Sequence, residues 1–307
     1  MKAVVCTKYG PPEVLIIQDV PKPLPKNDEI LVKIIATSVS SGDVRVRGLA
    51  VKGIMRIVMR IVLGFFKPRK PVLGTAYAGI VVKTGRVVSQ FKEGDRVFGM
   101  SGFKFGAYAE YICVKQNSNV ISMPANASFE EAAALIFGGQ TADYFLTKMK
   151  IRKIDNPKVL IIGATGSVGI GAIQIAKYYN AEITAVCSSR GNDLVNKLGV
   201  FDVIHYDKEE FTLMDKKFDL ILDAVGHTCK IQCRHLLKEK GVYKNVNGTD
   251  YASETKEQLD FLKDLFENGQ LQAVIDRVFP LDKIVDAHRY VETGRKKGDV
   301  ILKVCES

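Results

Sequence analysis

Residues 159–171 read VLIIGATGSVGIG, an apolar run that breaks into glycines and small residues just before a helical pattern begins. Few stretches leave a chain so little choice of fold. The run 159–162 is rich in β-branched residues and too short for a useful helix, so it reads as a strand buried on both faces. Gly163, Gly166 and Gly169 then let the backbone turn sharply, approach a pyrophosphate with no Cβ in the way, and pack the next helix against the strand. Ala164, Thr165, Ser167 and Val168 complete the turn. An amphipathic helix over about 168–179 would aim its N–H groups and positive dipole end at that phosphate. A second β run over 182–186 follows at βαβ spacing, the context such a motif requires. A turn of structural importance only is the alternative.

The residues after that second strand bear on which dinucleotide is held. In the NAD form a carboxylate accepts from the ribose 2′-OH there, but this chain reads Cys187, Ser188, Ser189, Arg190, with no acid until Asp193. Two hydroxyls and a guanidinium suit a 2′-phosphate, so the expectation is NADP(H). A duller reading has Ser189 capping the next helix and Arg190 solvated.

Further β runs at 202–205, 218–223 and 241–246 alternate with helical stretches, which predicts a doubly wound parallel sheet. Val225 and Gly226 after the fourth strand, and Val246 and Asn247 after the fifth, fall at the carboxyl ends where open sheets bind ligands. Upstream, short β runs at 3–7, 14–18, 29–37, 79–83, 96–99 and 109–114 predict a barrel-like β domain. Ser128 and Glu131 have the spacing of a capping box opening a helix. The expected division is 1–123, 124–270 and 271–307, the last piece returning to the β domain after a β run at 271–275.

A length of 307 residues allows two domains, and the formal charge of +10 favours anionic ligands. The cations are spread without interleaved aromatics, so nucleic acid is not implied. Six separated cysteines and a start lacking signal-peptide features predict a reduced, cytoplasmic protein. One segment is unusual. Residues 51–66, VKGIMRIVMRIVLGFF, put Lys52, Arg56 and Arg60 on one helical face amid apolar residues. It is too short to span a bilayer, which needs about 20 residues. The expectation is an apolar wall for a substrate, with a membrane-surface role or ordinary core as the alternatives.

Taken together, MKAVVCTKYGPPEVL, ATSVSSGDVRVRG, FKEGDRVFG, GAYAEY, FEEAAALIFGGQTA, the glycine turn, LDAVG and FPLDKIVDAH resemble the medium-chain dehydrogenase/reductase superfamily. Within it the likeness is to the zinc-free quinone oxidoreductase (zeta-crystallin-like) branch. The resemblance implies a GroES-like β-barrel catalytic domain with a Rossmann cofactor domain, NADP(H), a homodimer, and hydride transfer to a quinone or an α,β-unsaturated carbonyl. Ser40, Thr75 and Phe137 fall where the zinc-dependent branch has its ligands, so no metal is expected. The substrate is expected between Ser40, Asp43 and Tyr77 on one side and Thr141, near the nicotinamide, on the other. Ser40 replaces the family's Asn, and Asp43 could instead pair with Arg45 or Arg47. Tyr206 matches the aromatic flanking adenine or the 2′-phosphate. A different class of reading is an NADP(H)-binding protein with little turnover, acting as a structural or membrane-surface partner.

Overall fold

The computed structural model describes residues 1–51, 53–247, 250 and 252–306, so Lys52 lies outside the described residues. Seven strands come first: β1 (Lys2–Cys6), β2 (Leu15–Asp19), β3 (Glu29–Val39), β4 (Ala76–Thr84), β5 (Arg96–Met100), β6 (Tyr111–Lys115) and β7 (Val120–Ser122). Helices α1 (Ser41–Gly48) and α2 (Ile54–Leu63) lie between β3 and β4, and α3 (Phe129–Lys148) follows β7. The chain then alternates through β8 (Lys158–Ile162), α4 (Ser167–Tyr178), β9 (Glu182–Cys187), α5 (Asn192–Lys197), β10 (Asp202–His205), β11 (Phe218–Asp223) and β12 (Leu237–Asn245). It ends with α6 (Lys256–Glu267), β13 (Ile275–Pro280), α7 (Ile284–Glu292) and β14 (Asp299–Lys303).

Two compact units result, one of Met1–Ile136, Thr255–Lys263 and Ile275–Ser307, the other of Phe137–Glu254 and Asp264–Val274. In the first, β13-β14-β3-β4-β5-β7 form a sheet with β6 also paired to β3, while β1 and β2 make a separate pair. Long β3 is buried along nearly all its length because sheet partners flank it and apolar side chains cover it. Its alternate residues Ile30, Val32 and Ile34 pack with Tyr77, Val81 and Val97 in one core cluster. Each side chain so buried contributes about 1.5–3 kcal/mol.

The second unit is the parallel doubly wound sheet that the alternation predicts, in the order β10-β9-β8-β11-β12. The chain reverses its direction of winding between β8 and β11, the switch point where ligands of such sheets sit. Helix α4 differs from its expected amphipathic form. Every residue from Ser167 to Ala176 is buried, because Gly138 of α3 meets the helix start on one side and the sheet takes the other.

One boundary moved. Residues 271–275 are not a strand: Gly269 adopts φ +68°, and the Gln270 and Leu271 N–H groups both return to the Leu265 carbonyl, so this apolar stretch caps α6. The strand begins only at Ile275. The helix start at Ser128 is as expected, with the Ser128 N–H and O–H donating to Glu131 Oε2 at 2.8 Å each and the Glu131 N–H donating back at 3.1 Å.

Candidate functional site

At the end of β8 the Gly163 and Ala164 N–H groups donate to the Val186 carbonyl, and the Gly166 N–H donates to the Gly163 carbonyl at 3.1 Å. The three glycines serve different ends. Gly163 has φ +79°, and a Cβ there would stand 2.1 Å from Val225 Cγ2. At Gly169 a Cβ would meet the Gly163 carbonyl oxygen at 2.2 Å. Gly166 has ordinary extended dihedrals, φ −80° and ψ 167°, and a Cβ there would meet only the Gly163 oxygen, at 3.6 Å. The protein itself therefore forbids side chains at Gly163 and Gly169 and leaves room for one at Gly166. Gly166 is also the N-cap of α4, and no side chain caps that helix. A helix start with room at its N-cap and no side chain capping it fits a phosphate, which backbone N–H groups and the dipole end favour.

Neighbouring loops converge on this turn. Asp223, fully buried at the end of β11, accepts from the Val225 and Gly226 N–H groups through Oδ1 at 3.0 and 2.7 Å. Its Oδ2 accepts from the Thr228 N–H at 2.8 Å and the Thr228 hydroxyl at 2.7 Å. That carboxylate shapes the loop carrying Val225 against Gly163. Asn247, after β12, donates through Nδ2 to the Val225 carbonyl at 2.7 Å, and a Cβ on Gly226, at φ +85°, would lie 2.1 Å from that Nδ2. A Cβ on Gly191 would lie 2.6 Å from Thr165 Cγ2, which brings the loop after β9 against the glycine turn. Thr141, buried, lies one helical turn after Gly138, where a Cβ would meet the Ser167 carbonyl oxygen at 2.4 Å.

The segment after β9 holds a correction to the expected donor set. Ser189 gives its N–H to Asp207 Oδ1 at 2.7 Å and its hydroxyl to Asp207 Oδ2, so it neither caps α5 nor keeps its proton for a ligand. Those bonds hold the Asp207 carboxyl below its usual range. Asp207 comes from the end of β10, 18 residues away, and only the pairing of β9 with β10 brings it there. Tyr206 beside it is exposed, with its N–H on the Cys187 carbonyl.

In the first unit Ser40 is the N-cap of α1 in a closed capping box. Its N–H and O–H donate to Asp43 Oδ2 at 2.9 and 2.6 Å, and the Asp43 N–H donates back to Ser40 Oγ at 3.2 Å. Both residues are buried, and burial pushes the Asp43 carboxyl up to about 6 against the Ser40 donors that hold it down. Arg47 pairs with Glu292 rather than Asp43. Tyr77 has no exposed surface; its ring lies in the apolar core and its hydroxyl has no hydrogen-bond partner among the described residues. His288, also fully buried, stands edge-on to Tyr108 at 5.7 Å. Burial, and secondarily the Arg47 charge, lowers its pKa to about 3. Asp207, Asp223 and the Ser40–Asp43 box are what sequence reading missed.

The chain matches a family model described as "Alcohol dehydrogenase GroES-like domain" over residues 26–125 and one described as "Zinc-binding dehydrogenase" over 243–302. It is 35% identical to a 2-methylene-furan-3-one reductase of Solanum lycopersicum, covering 98% of this chain and 79% of that protein. It is 30% identical to a chloroplastic NADPH-dependent alkenal/one oxidoreductase of Arabidopsis thaliana, with the same coverages. Among solved structures, the quinone oxidoreductase from Coxiella burnetii superposes with a TM-score of 0.89 at 29% identity, covering 99% of each chain. Zinc, named in one of those descriptions, does not fit the residues present. Ser40 is engaged in its capping box, Thr75 and Phe137 bring no thiolate or imidazole, and no group of three or more His, Cys, Asp or Glu among the described residues could hold a metal ion.

Proposed function

Since the chain belongs to the medium-chain dehydrogenase/reductase superfamily, in its quinone-oxidoreductase-like branch, we propose that it is an NADPH-dependent, zinc-independent reductase of quinones or α,β-unsaturated carbonyls. The observation that carries the cofactor half of this reading is Gly166: a glycine that the fold does not need, at an uncapped helix start, at the switch point of a parallel sheet. When bound, the dihydronicotinamide supplies the hydride; the residues of this chain bind, position and exclude. The Gly163–Gly169 backbone takes the pyrophosphate. Asp223 holds Val225 and Gly226 in place, and Asn247 locks that loop to the next. Ser188 and Arg190 are the residues after β9 assigned to the 2′-phosphate, while Ser189 is committed to Asp207. Thr141, buried one helical turn after the Gly138 that meets the start of α4, is the candidate for contact near the nicotinamide.

An acceptor already activated by conjugation needs no Lewis acid, which agrees with a chain that offers no zinc ligands. Ser40 is poorly placed to donate to a carbonyl oxygen, because its one hydroxyl proton goes to Asp43. That same observation favours the second reading, an NADP(H)-binding protein with little turnover. Fluorescence titration with NADPH, followed by a spectrophotometric screen of NADPH oxidation across quinones and enones, tests both. Tight binding with turnover supports the reductase and tight binding without turnover the second reading. Absence of binding overturns the two together.

A further inference from the structure

Helix α2 is built the wrong way round for an ordinary surface helix. Successive residues advance about 100° around a helix, so Met59 and Leu63 share one side, and both pack on the core cluster of the first unit. Arg56 and Arg60 fall together next to that side. The opposite arc, where charged residues would normally meet water, holds Ile57, Val58, Ile61 and Val62, which are 57, 44, 60 and 56% exposed. Phe65 and Phe66 extend this apolar surface past the helix end, at 56 and 81% exposed. The Arg60 guanidinium lies 5.6 Å from the Phe65 ring centroid and donates to the Phe65 carbonyl at 2.9 Å, which ties the aromatic pair to the helix. The substrate wall expected of this segment does not account for so much apolar surface turned to solvent.

The segment that carries this face is rich in cations. No acidic residue occurs between Asp43 and Glu93, while Arg56, Lys67, Arg69 and Lys70 are exposed around the apolar arc. Among the described residues no carboxylate forms an ion pair with any of these cations or with Arg60. We propose that this face docks on the surface of an anionic lipid bilayer, α2 lying in the interface plane with its outer arc and the two phenylalanines among the acyl chains and the cations at the headgroups. A second copy of the chain is a poor occupant, because a two-fold interface would set the same unneutralised cations against each other. The arc also carries no hydrogen-bonding side chain with which to register a protein partner, and fluid hydrocarbon requires none. Ten residues cannot cross a bilayer, and no helix among the described residues is long and apolar enough to do so. The proposal does not depend on the reaction proposed above.

Flotation of the whole chain with vesicles of phosphatidylcholine alone, or of phosphatidylcholine with phosphatidylglycerol, tests it. Binding to the anionic vesicles should exceed binding to the neutral ones by about tenfold or more and should weaken with added salt. Ile61→Asp with Phe66→Asp should abolish flotation, and Arg56→Glu with Lys70→Glu should reduce it to the neutral-vesicle level. Both pairs are on the surface, so their melting temperatures should match the parent. Equal flotation with both vesicles, or with neither, overturns the proposal. So does a concentration-dependent dimer in light scattering that Ile61→Asp dissociates, which would assign the face to a second copy.

Discussion

Two strand-to-helix turns in this molecule begin alike and end differently. After β3 the chain enters α1 through Ser40, and after β8 it enters α4 through Gly166. Both follow buried strands and both leave the first helical N–H groups without partners inside the helix. At Ser40 the chain answers that need itself, with a capping box whose carboxylate is Asp43. At Gly166 it supplies no side-chain cap and no Cβ, and this is the opening proposed above for the pyrophosphate. A helix start is a binding site only where the chain declines to cap it.

The largest effect expected of this contrast is at Gly166. Gly166→Val introduces a side chain that the protein tolerates at its own φ and ψ but that stands where the pyrophosphate must approach. NADPH affinity should fall at least a hundredfold, about 3 kcal/mol, while the melting temperature without ligand stays within a degree or two of the parent. Gly163→Ala makes the control, since φ +79° and the Val225 contact should cost folding stability with or without cofactor. A Gly166→Val protein whose melting temperature still climbs with NADPH as the parent's does would break the comparison.

At the closed turn the pattern should invert. Ser40→Ala removes the cap and one of the donors on a buried carboxylate, costing about 1–2 kcal/mol, or roughly 2–8 °C in melting temperature. NADPH affinity should not change. A loss of cofactor binding with stability intact would show that Ser40 belongs to the ligand site after all.

Much of this was legible in the sequence, and the misses have physical causes. The glycine turn, the strand ends and the Ser128–Glu131 box are local patterns, readable because spacing alone sets them. Asp207 and Asp223 act on residues that strand order or a loop's fold brings to them, and no window around Ser189 contains Asp207. The Ser40–Asp43 box is local too, but the family resemblance points both residues at a substrate rather than at each other. For α2 the periodicity revealed two kinds of face, but which face the core would take depended on Leu63 and Met59, only two of its apolar residues.

The closed turn also predicts how stability depends on pH. Burial raises Asp43 to about 6 from 3.8, so its contribution to stability is full below 3.8 and is lost as pH rises through 6. His288, buried nearby in the same unit and lowered to about 3 from 6.5, works in the opposite sense. Its contribution is full above 6.5 and is lost as pH falls toward 3. Between about pH 4 and 6 the two oppose each other, which flattens the acid limb. His288→Phe should leave Asp43 alone and make the protein gain stability as pH falls from 6 to 4, measured by denaturant unfolding at each pH. An acid limb unchanged in that variant would mean that His288 is protonated in the fold.

The smallest effect concerns how far the open turn is already occupied by the chain's own charge. Asp207 keeps a carboxylate on Ser189, beside the residues expected to meet the 2′-phosphate of NADPH. The two donors of Ser189 hold its carboxyl below the usual range, so a phosphate arriving beside Ser188 meets a like charge. Asp207→Asn keeps an acceptor for the Ser189 N–H and removes that repulsion. NADPH should then bind severalfold more tightly, while NADH, which lacks the phosphate, is unaffected. Titration of both cofactors against both proteins reads the difference directly. Were NADH to weaken instead, Asp207 would be serving a ribose hydroxyl as the acid of an NAD site does, and the second open end of this sheet would prove closed to phosphate by the same device that closes α1.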